Sequence, residues 1–540
     1  MAQGGKEVIS TDVEMVESVS DTPVGNNTGT VKLLDKNKVV LIPTPSPDPM
    51  DPLNLPTWRK VLIIIIVGLF SSFSVVVTSG LAPVFNIVAA MYPGQETRAT
   101  DLMTYPTLFM GIGNLLSMPL CVAIGRRPVF LFSLLALVLS GIWCACAKTL
   151  DVHMAGRAFL ALAAGQSEAL APMIVQEVHF LHQRANRLGW FVAIQTTGTA
   201  GLFIATTYMV PAWGLAWWYW LTTIFDGVLL VLAFVFVVET KFDRPTDAND
   251  GAVHVHFDDQ GNPAPLKEAG HDKIYRVTTA EEREIEPGKY GKRTWRRDMR
   301  IFSVKPHWPS LVQFYKDTFY GLAIPSAVWM VLINGAFLGV YVFQSSTFAN
   351  VLTAPPFSFR EGLLGFIQMA QIIDCLIMLP LMGYGSDILV KWMSRRYGGG
   401  PEYRLIPLVL PALATVIGCA IFGQASAHPF RWSWPAVVVP YHMCYFAFLG
   451  VNLVAITYAI DSFPAQAGPM LLLICAGRGF ISFGLSYSTV PAVHTIGYDG
   501  GMNVFAAVCG AFSLAGVAVY FWGNSMRNWA HKRIWKEDQE

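Results

Sequence analysis

An all-α polytopic membrane protein, with twelve transmembrane helices arranged as two six-helix bundles, is the fold class the sequence predicts. Three observations carry that expectation. About a dozen apolar stretches recur along the 540 residues, each near the ~20 a helix needs to cross ~30 Å of hydrocarbon. Charged residues make up only 14% and hydrophobic ones 53%, against about 25% charged in an ordinary soluble chain. The charges are also segregated: of 38 Lys and Arg, only Arg157 and Arg478 fall inside an expected span. The stretches must be helices, because a helix satisfies its own backbone in lipid, and the ten-residue alternation of a membrane β-barrel does not dominate.

Taken in order, residues 1–60 read as a largely disordered cytoplasmic tail, polar, acidic and punctuated by Thr, Pro and Gly. No basic stretch followed by a short apolar one stands at Met1, so no cleaved signal peptide is expected and the first span directs insertion. The N-terminal bundle covers 61–238, with spans at 61–89, 101–124, 128–147, 152–177, 188–210 and 216–238. A hydrophilic central loop follows at 239–318; its part from His254 to Gly270 reads as disordered and Trp295 to Arg300 as a basic surface stretch. The C-terminal bundle covers 319–523, with spans at 319–348, 361–383, 405–424, 433–459, 468–490 and 501–523. A cytoplasmic tail closes the chain at 524–540.

Orientation follows from the bias of Lys and Arg toward cytoplasmic turns. With an inner N-terminus, the inner turns hold Arg126, Arg127, Arg184, Arg187, Lys391, Arg395, Arg396 and Arg404, and the outer turns only Arg98, Lys148, Arg360 and Arg431. Both termini are therefore expected in the cytoplasm, which an even span count satisfies. Trp213, Trp217, Trp218, Tyr219 and Trp220 at one outer boundary, and Trp432 and Trp434 at another, read as interfacial anchors. The eight Cys all lie in apolar segments without paired C-x-x-C spacing, so they read as small buried side chains, with neither disulfide nor zinc expected. A net charge of +1 suggests no nucleic-acid partner.

Several short stretches carry a family resemblance. Asp51-Pro52-Leu53-Asn54 precedes the first span, and Gly125-Arg126-Arg127-Pro128 follows the second. Arg157 precedes Gly165 in the fourth, Glu239-Thr240-Lys241-Phe242-Asp243-Arg244 closes the sixth, and Gly383-x-x-x-Asp387 with Arg395 and Arg396 repeats the inner-turn pattern in the second half. On these residues the chain resembles the major facilitator superfamily over about residues 50–523, specifically a fungal branch grouped with drug:proton antiporters that includes histidinol and polyamine carriers. The resemblance implies the major facilitator fold, and a secondary carrier that moves a small organic solute by alternating access, driven by the proton gradient without any bound cofactor. It implies a monomer in the lipid bilayer, at a fungal plasma membrane. Export of drugs or secondary metabolites is the leading expectation. Uptake of polyamines or other organic cations is the alternative, and a transporter-like receptor the third reading.

The inner-turn pattern implies a conformational latch from Arg126, Arg127, Asp387, Arg395 and Arg396, in which an acidic group meets basic residues of the neighbouring turn. The alternative is plain topology-setting charge. The first-half copy departs from the family pattern: Val122 stands where an Asp is usual and Met118 replaces the leading Gly. A second departure lies in the fifth span, where Thr197-Gly198-Thr199-Ala200-Gly201 lacks the Pro and closing glycine pair of the antiport signature. Direction of transport stays open on that ground.

Ionisable side chains at mid-bilayer depth are functional candidates by default, since an acidic one costs about 2.5–3.5 kcal/mol to insert there. A carboxyl held in low dielectric is also suited to take and release a proton near neutral pH. Glu168, with Arg157 three helical turns before it on the same side, and Asp374 are the proton- or cation-binding candidates. Each could instead make a buried structural hydrogen bond. Asp226 reads as structural, Arg478 as a counter-ion or a snorkelling side chain, and Glu177 as surface charge. Asn334, Tyr341, Gln344, Tyr441, Tyr445 and Asn452 are the substrate-cavity candidates, an aromatic set suited to an organic cation or to simple interhelical packing. No catalytic residue and no metal ligand is expected. No P-loop, nucleophile elbow or metal-ligand pair occurs, which argues against an enzyme and against ATP-driven transport.

Overall fold

The computed structural model describes residues 45–242, 287–397, 401–463 and 466–533, with short stretches at 34–35, 38–39, 43, 252–257, 263–264 and 274–278. Among them are twelve helices long and apolar enough to cross a membrane. The first six are Thr57–Ala90, Asp101–Ile124, Arg126–Ala145, Leu150–Glu177, Asn186–Trp213 and Leu215–Phe236. The second six are Pro325–Thr353, Gly362–Val390, Pro401–Ala427, Pro435–Ser462, Ala467–Tyr487 and Pro491–Ala530. Twelve spans in the expected order are present; the seventh starts at Pro325 rather than 319, and the last covers Pro491–Ala530 rather than 501–523. The last helix runs on to Arg533, so the segment from 524, expected to be a tail, begins as helix.

Two apolar cores form: one in the second set of six, and one in the first set that also takes in Phe314 and Leu471, Leu472, Cys475 and Ala476 of the eleventh span. The halves meet where the second span crosses the eleventh. Small residues allow that approach: a Cβ on Gly479 would sit 3.0 Å from the Thr107 carbonyl, and one on Gly111 would sit 3.1 Å from that of Ala476. The fifth and eighth spans make the counterpart contact, with Gly365 against Thr207 and Tyr208 edge-on to Phe366 at 6.1 Å. Inside the N-terminal half, Gly198 of the eroded antiport stretch lets the fifth span close on Ser72 of the first. Packing survives there without the signature.

Several expectations are corrected. The N-terminal segment is ordered from 45 onward. Asp51 accepts from the Leu53 amide (2.9 Å) and the Ser46 amide (2.9 Å), Asn54 donates to the Ser46 and Asp48 carbonyls, and Lys60 donates to the Leu53 carbonyl at 2.7 Å. The segment is held by these Asx hydrogen bonds together with Leu53 and Leu55, 3% and 4% exposed. Residues 1–33 lie outside the described residues. In the central loop, Ala252–Phe257 pairs antiparallel with Ile274–Thr278, where disorder was expected from His254; the alternation Val253, Val255, Phe257 has strand period. Residues 258–262 and 265–270 lie outside the described residues.

Trp295 to Arg300 is no bare surface stretch. Asp298 is 4% exposed and pairs with Arg59 (2.5 Å) and Arg293 (3.0 Å), while Arg59 lies 4.6 Å over the Trp295 ring. Of the expected aromatic anchors, Trp213, Trp217 and Trp220 are exposed, but Trp218 and Tyr219 are buried; Trp218 donates to Thr206 and Tyr219 binds His153 and Arg157. A polar tip that finds a buried partner turns inward rather than to the interface. Seven Cys are buried, whereas Cys146, just past the third span, is exposed.

A further helix, Trp308–Gly321, precedes the seventh span and lies across both halves. Its Tyr315 donates to the Leu115 carbonyl of the second span at 2.9 Å, Phe314 packs on Gly468, and Gly321 packs on Met470 beside the eleventh.

Candidate functional site

At the centre of the bundle the fourth span breaks its α-helical winding over Gly165–Ser167. Gly165 is required there: a Cβ would fall 2.6 Å from the Met110 carbonyl of the second span. The tight turn aims Glu168 across the interface. Its Oε1 lies 2.5 Å from Arg478 Nη2 of the eleventh span, and its Oε2 accepts a long bond from Asn114 at 3.5 Å. Arg478 Nη1 donates to Asn452 Oδ1 at 2.8 Å, which also accepts from Asn334 at 3.0 Å. The result is one polar chain, with Asn114 and Glu168 from the first half and Arg478, Asn452 and Asn334 from the second. Arg478 is 4% exposed, and among the described residues Glu168 is the carboxylate that balances its charge. Among the sequence candidates, Glu168, Asn334 and Asn452 come together here, with Arg478 as the counter-ion.

Arg157 does not join them. Its guanidinium donates to the carbonyls of Leu102 (2.9 Å), Val77 (3.1 Å) and Thr78 (2.6 Å) and to the Tyr219 hydroxyl (3.0 Å). It ties the first, second, fourth and sixth spans within one half. The three-turn extrapolation to Glu168 fails because the intervening turn at 165–167 is not α-helical.

A second cluster lies wholly in the C-terminal half. Gln371 donates to Tyr341 (3.1 Å) and to Gln368, and Tyr441 donates to Gln368 (3.1 Å). The Tyr341 ring lies 4.9 Å from Tyr445 and is parallel to Phe448 at 6.2 Å; Arg478 lies 5.7 Å over that same Phe448. Asp374 Oδ2 is 2.7 Å from His442 Nδ1. Gln344 is not part of this set and donates to Cys444 instead. His442 and Phe448 were missed. A lone His within an apolar span was the available signal, and a scan for acidic groups alone passes over it. Asp226 is buried in the sixth span, with Oδ1 unpartnered among the described residues.

At the turn between the second and third spans, Gly125 has φ +108°, and a Cβ would fall 2.3 Å from Glu239. Glu239 then receives the amides of Arg126 (2.8 Å) and Arg127 (3.2 Å). Arg126 pairs with Glu177 at 2.7 Å, and Glu177 also accepts from Thr240 at 2.5 Å. Glu177 is therefore a half-buried partner of Arg126 and Thr240 rather than free surface charge. It and Glu239 supply the carboxylates that Val122 cannot. Arg127 is fully buried and donates to the carbonyls of Val237, Phe234 and Asp298. In the second-half copy, the side chains of Asp387 and Arg395 lie outside the described residues; Arg396 stands 5.8 Å over Trp392. Nearby, outside the spans, burial pushes the His179 imidazole down to about 4, with Lys60, Arg187 and Arg184 adding to the effect.

At the end of the bundle where the first and seventh spans finish, two cavities of about 620 and 590 Å³ open between the halves. Asn86 and Tyr208 face Thr353 and Arg360 across the first; Phe85 and Thr104 face Asn350 and Tyr487 across the second.

Comparison with known proteins agrees with this architecture. The family model described as Major Facilitator Superfamily matches residues 61–469. An uncharacterized MFS-type transporter of Schizosaccharomyces pombe is 22% identical over 92% of this chain and 89% of its own length. Protein HOL1 of Saccharomyces cerevisiae is 22% identical, covering 92% and 91%. A probable efflux pump, mfs2, of Aspergillus flavus is 21% identical, covering 83% and 98%. Among solved structures, a POT family transporter in complex with 5-aminolevulinic acid superposes with a TM-score of 0.55 at 14% identity, over 85% of this chain and 95% of that one. With twelve spans in two halves and a family match over most of its length, the chain belongs to the major facilitator superfamily and is an integral, multi-pass membrane transporter.

Proposed function

We propose that this carrier is a proton-coupled secondary transporter that moves a small organic solute by alternating access, in the export direction, at a plasma membrane with both termini in the cytoplasm. The observation that carries the reading is the Glu168–Arg478 pair, a charge pair contributed by the interiors of the fourth and eleventh spans, from opposite halves. Neutralising Glu168 with a proton removes the attraction that holds the halves together at that level, so proton binding and rocking are linked by one bond. Two named efflux pumps among the relatives favour export. The basic inner turns favour cytoplasmic ends. The aromatic faces of Tyr341, Tyr445 and Phe448 beside the pair suit a flat or cationic organic solute.

Proteoliposomes with an imposed pH gradient test this directly. A panel of labelled drugs, amines and aromatic metabolites should include at least one whose flux follows the gradient and stops when a protonophore collapses it. Flux that ignores the gradient removes the coupling, and binding without flux in either direction removes the carrier.

A further inference from the structure

His442 and Asp374 face each other from the tenth and eighth spans, inside the C-terminal half and apart from Glu168 on the fourth. Their side chains are 10% and 13% exposed, and Nδ1 lies 2.7 Å from Oδ2. With Asp374 ionised, the carboxylate only accepts hydrogen bonds, so the proton of this bond sits on Nδ1. That fixes the tautomer and leaves the lone pair on Nε2. Nε2 is itself buried and without a hydrogen-bond partner among the described residues, and a buried polar atom left so calls for an occupant.

Charge points to what the occupant is. Glu168 already has a cation in Arg478. Asp374 forms its ion pair with His442, whose positive charge exists only when Nε2 is protonated. Among the described residues, the other titratable groups around the pair are Cys375 on the eighth span, Tyr341 on the seventh, and Tyr441 and Tyr445 on the tenth. None of them is a cation. A proton on Nε2 therefore turns a buried dyad of charge −1 into a neutral imidazolium–carboxylate pair, with no bond made or broken beyond the N–H itself. The dyad also borders the solute-facing cluster. Gln371, one turn before Asp374, donates to Tyr341. Tyr341 is parallel to Phe448, over which Arg478 lies.

We propose that Asp374 and His442 form a second proton-binding site, loaded on His442 Nε2 independently of the Glu168–Arg478 pair and adjoining the aromatic solute site. The inference rests on the proton-coupled reading but is tested separately from it. The full-length chain, labelled with ¹⁵N-histidine and held in lipid nanodiscs, is titrated by NMR, with His442→Gln assigning the signal among the 11 histidines. The expected result is an Nε2 resonance that passes from the unprotonated to the protonated position as the pH is lowered across the range in which the chain stays folded. In Asp374→Asn the same resonance should lose at least about tenfold in proton affinity, since the stabilising carboxylate is gone. A resonance fixed in one form across that range overturns the proposal, as does a midpoint unmoved by Asp374→Asn. Where His442→Gln does not fold, the signal displaced in Asp374→Asn identifies the residue. Proton-driven flux with a silent His442 removes this site and leaves the carrier reading intact. A titrating His442 without proton-driven flux supports the site while removing the coupling.

Discussion

Asp298→Ala should lower the stability of the folded transporter by roughly 3–5 kcal/mol, the cost of leaving buried cations without their carboxylate. Asp298 is 4% exposed and serves two arginines at once, Arg59 at 2.5 Å and Arg293 at 3.0 Å. Arg59 is itself 4% exposed and retains the Phe236 carbonyl and the Trp295 face. Neither offers it a counter-charge. The bond from Arg127 goes to the Asp298 backbone carbonyl, so it survives the substitution only while the segment stays docked. Two measurements follow. Because seven of eight cysteines are buried, a thiol-reactive dye reports thermal unfolding, and the transition should fall by several degrees. Trypsin should also cut faster at the exposed Arg296 and Arg300. An unchanged transition together with unchanged cleavage means that the central segment is not held by this carboxylate.

Arg478→Met should abolish flux and destabilise the chain by a similar roughly 3–5 kcal/mol. The change strands Glu168 opposite an apolar side chain and removes one of the two donors that Asn452 accepts from. Adding Glu168→Gln in the same chain should restore most of the stability, because the stranded charge disappears with it, while flux stays lost. That split separates packing from mechanism. If the double variant is no more stable than Arg478→Met alone, the two side chains are not coupled energetically.

Much of the fold was legible in residue order. Twelve spans follow from hydropathy because each needs only length and few charges, both visible locally. Glu168 and Asp374 were legible for the same reason: a carboxyl in a greasy stretch stands out. Arg478 was legible as a counter-ion or a snorkelling side chain, but which carboxylate it serves was not, and neither was His442. Arg478 lies 310 positions after Glu168 in a different half, and no periodicity links them. Arg157 was assigned to the wrong neighbours because helical extrapolation assumes unbroken winding, and Gly165–Ser167 breaks it. Asp298 was hidden in a loop whose Arg-rich composition reads as solvated surface. Its burial depends on Arg59 and Arg127, which are far away in the sequence. Glu239 and Glu177 replacing the missing acidic residue of the first inner turn is likewise a three-dimensional substitution, carried by the positive φ of Gly125.

The most direct test of halves that rock about the Glu168–Arg478 pair is a distance measured across the mouth they share. Spin labels at Asn86 and Thr353, which face one another over the 620 Å³ cavity from opposite halves, report that separation by pulsed electron–electron resonance in nanodiscs. The account predicts two distance populations whose ratio changes with pH, and Glu168→Gln should hold the ratio fixed at its low-pH value. A single distance, indifferent both to pH and to Glu168→Gln in a chain that still transports, contradicts it.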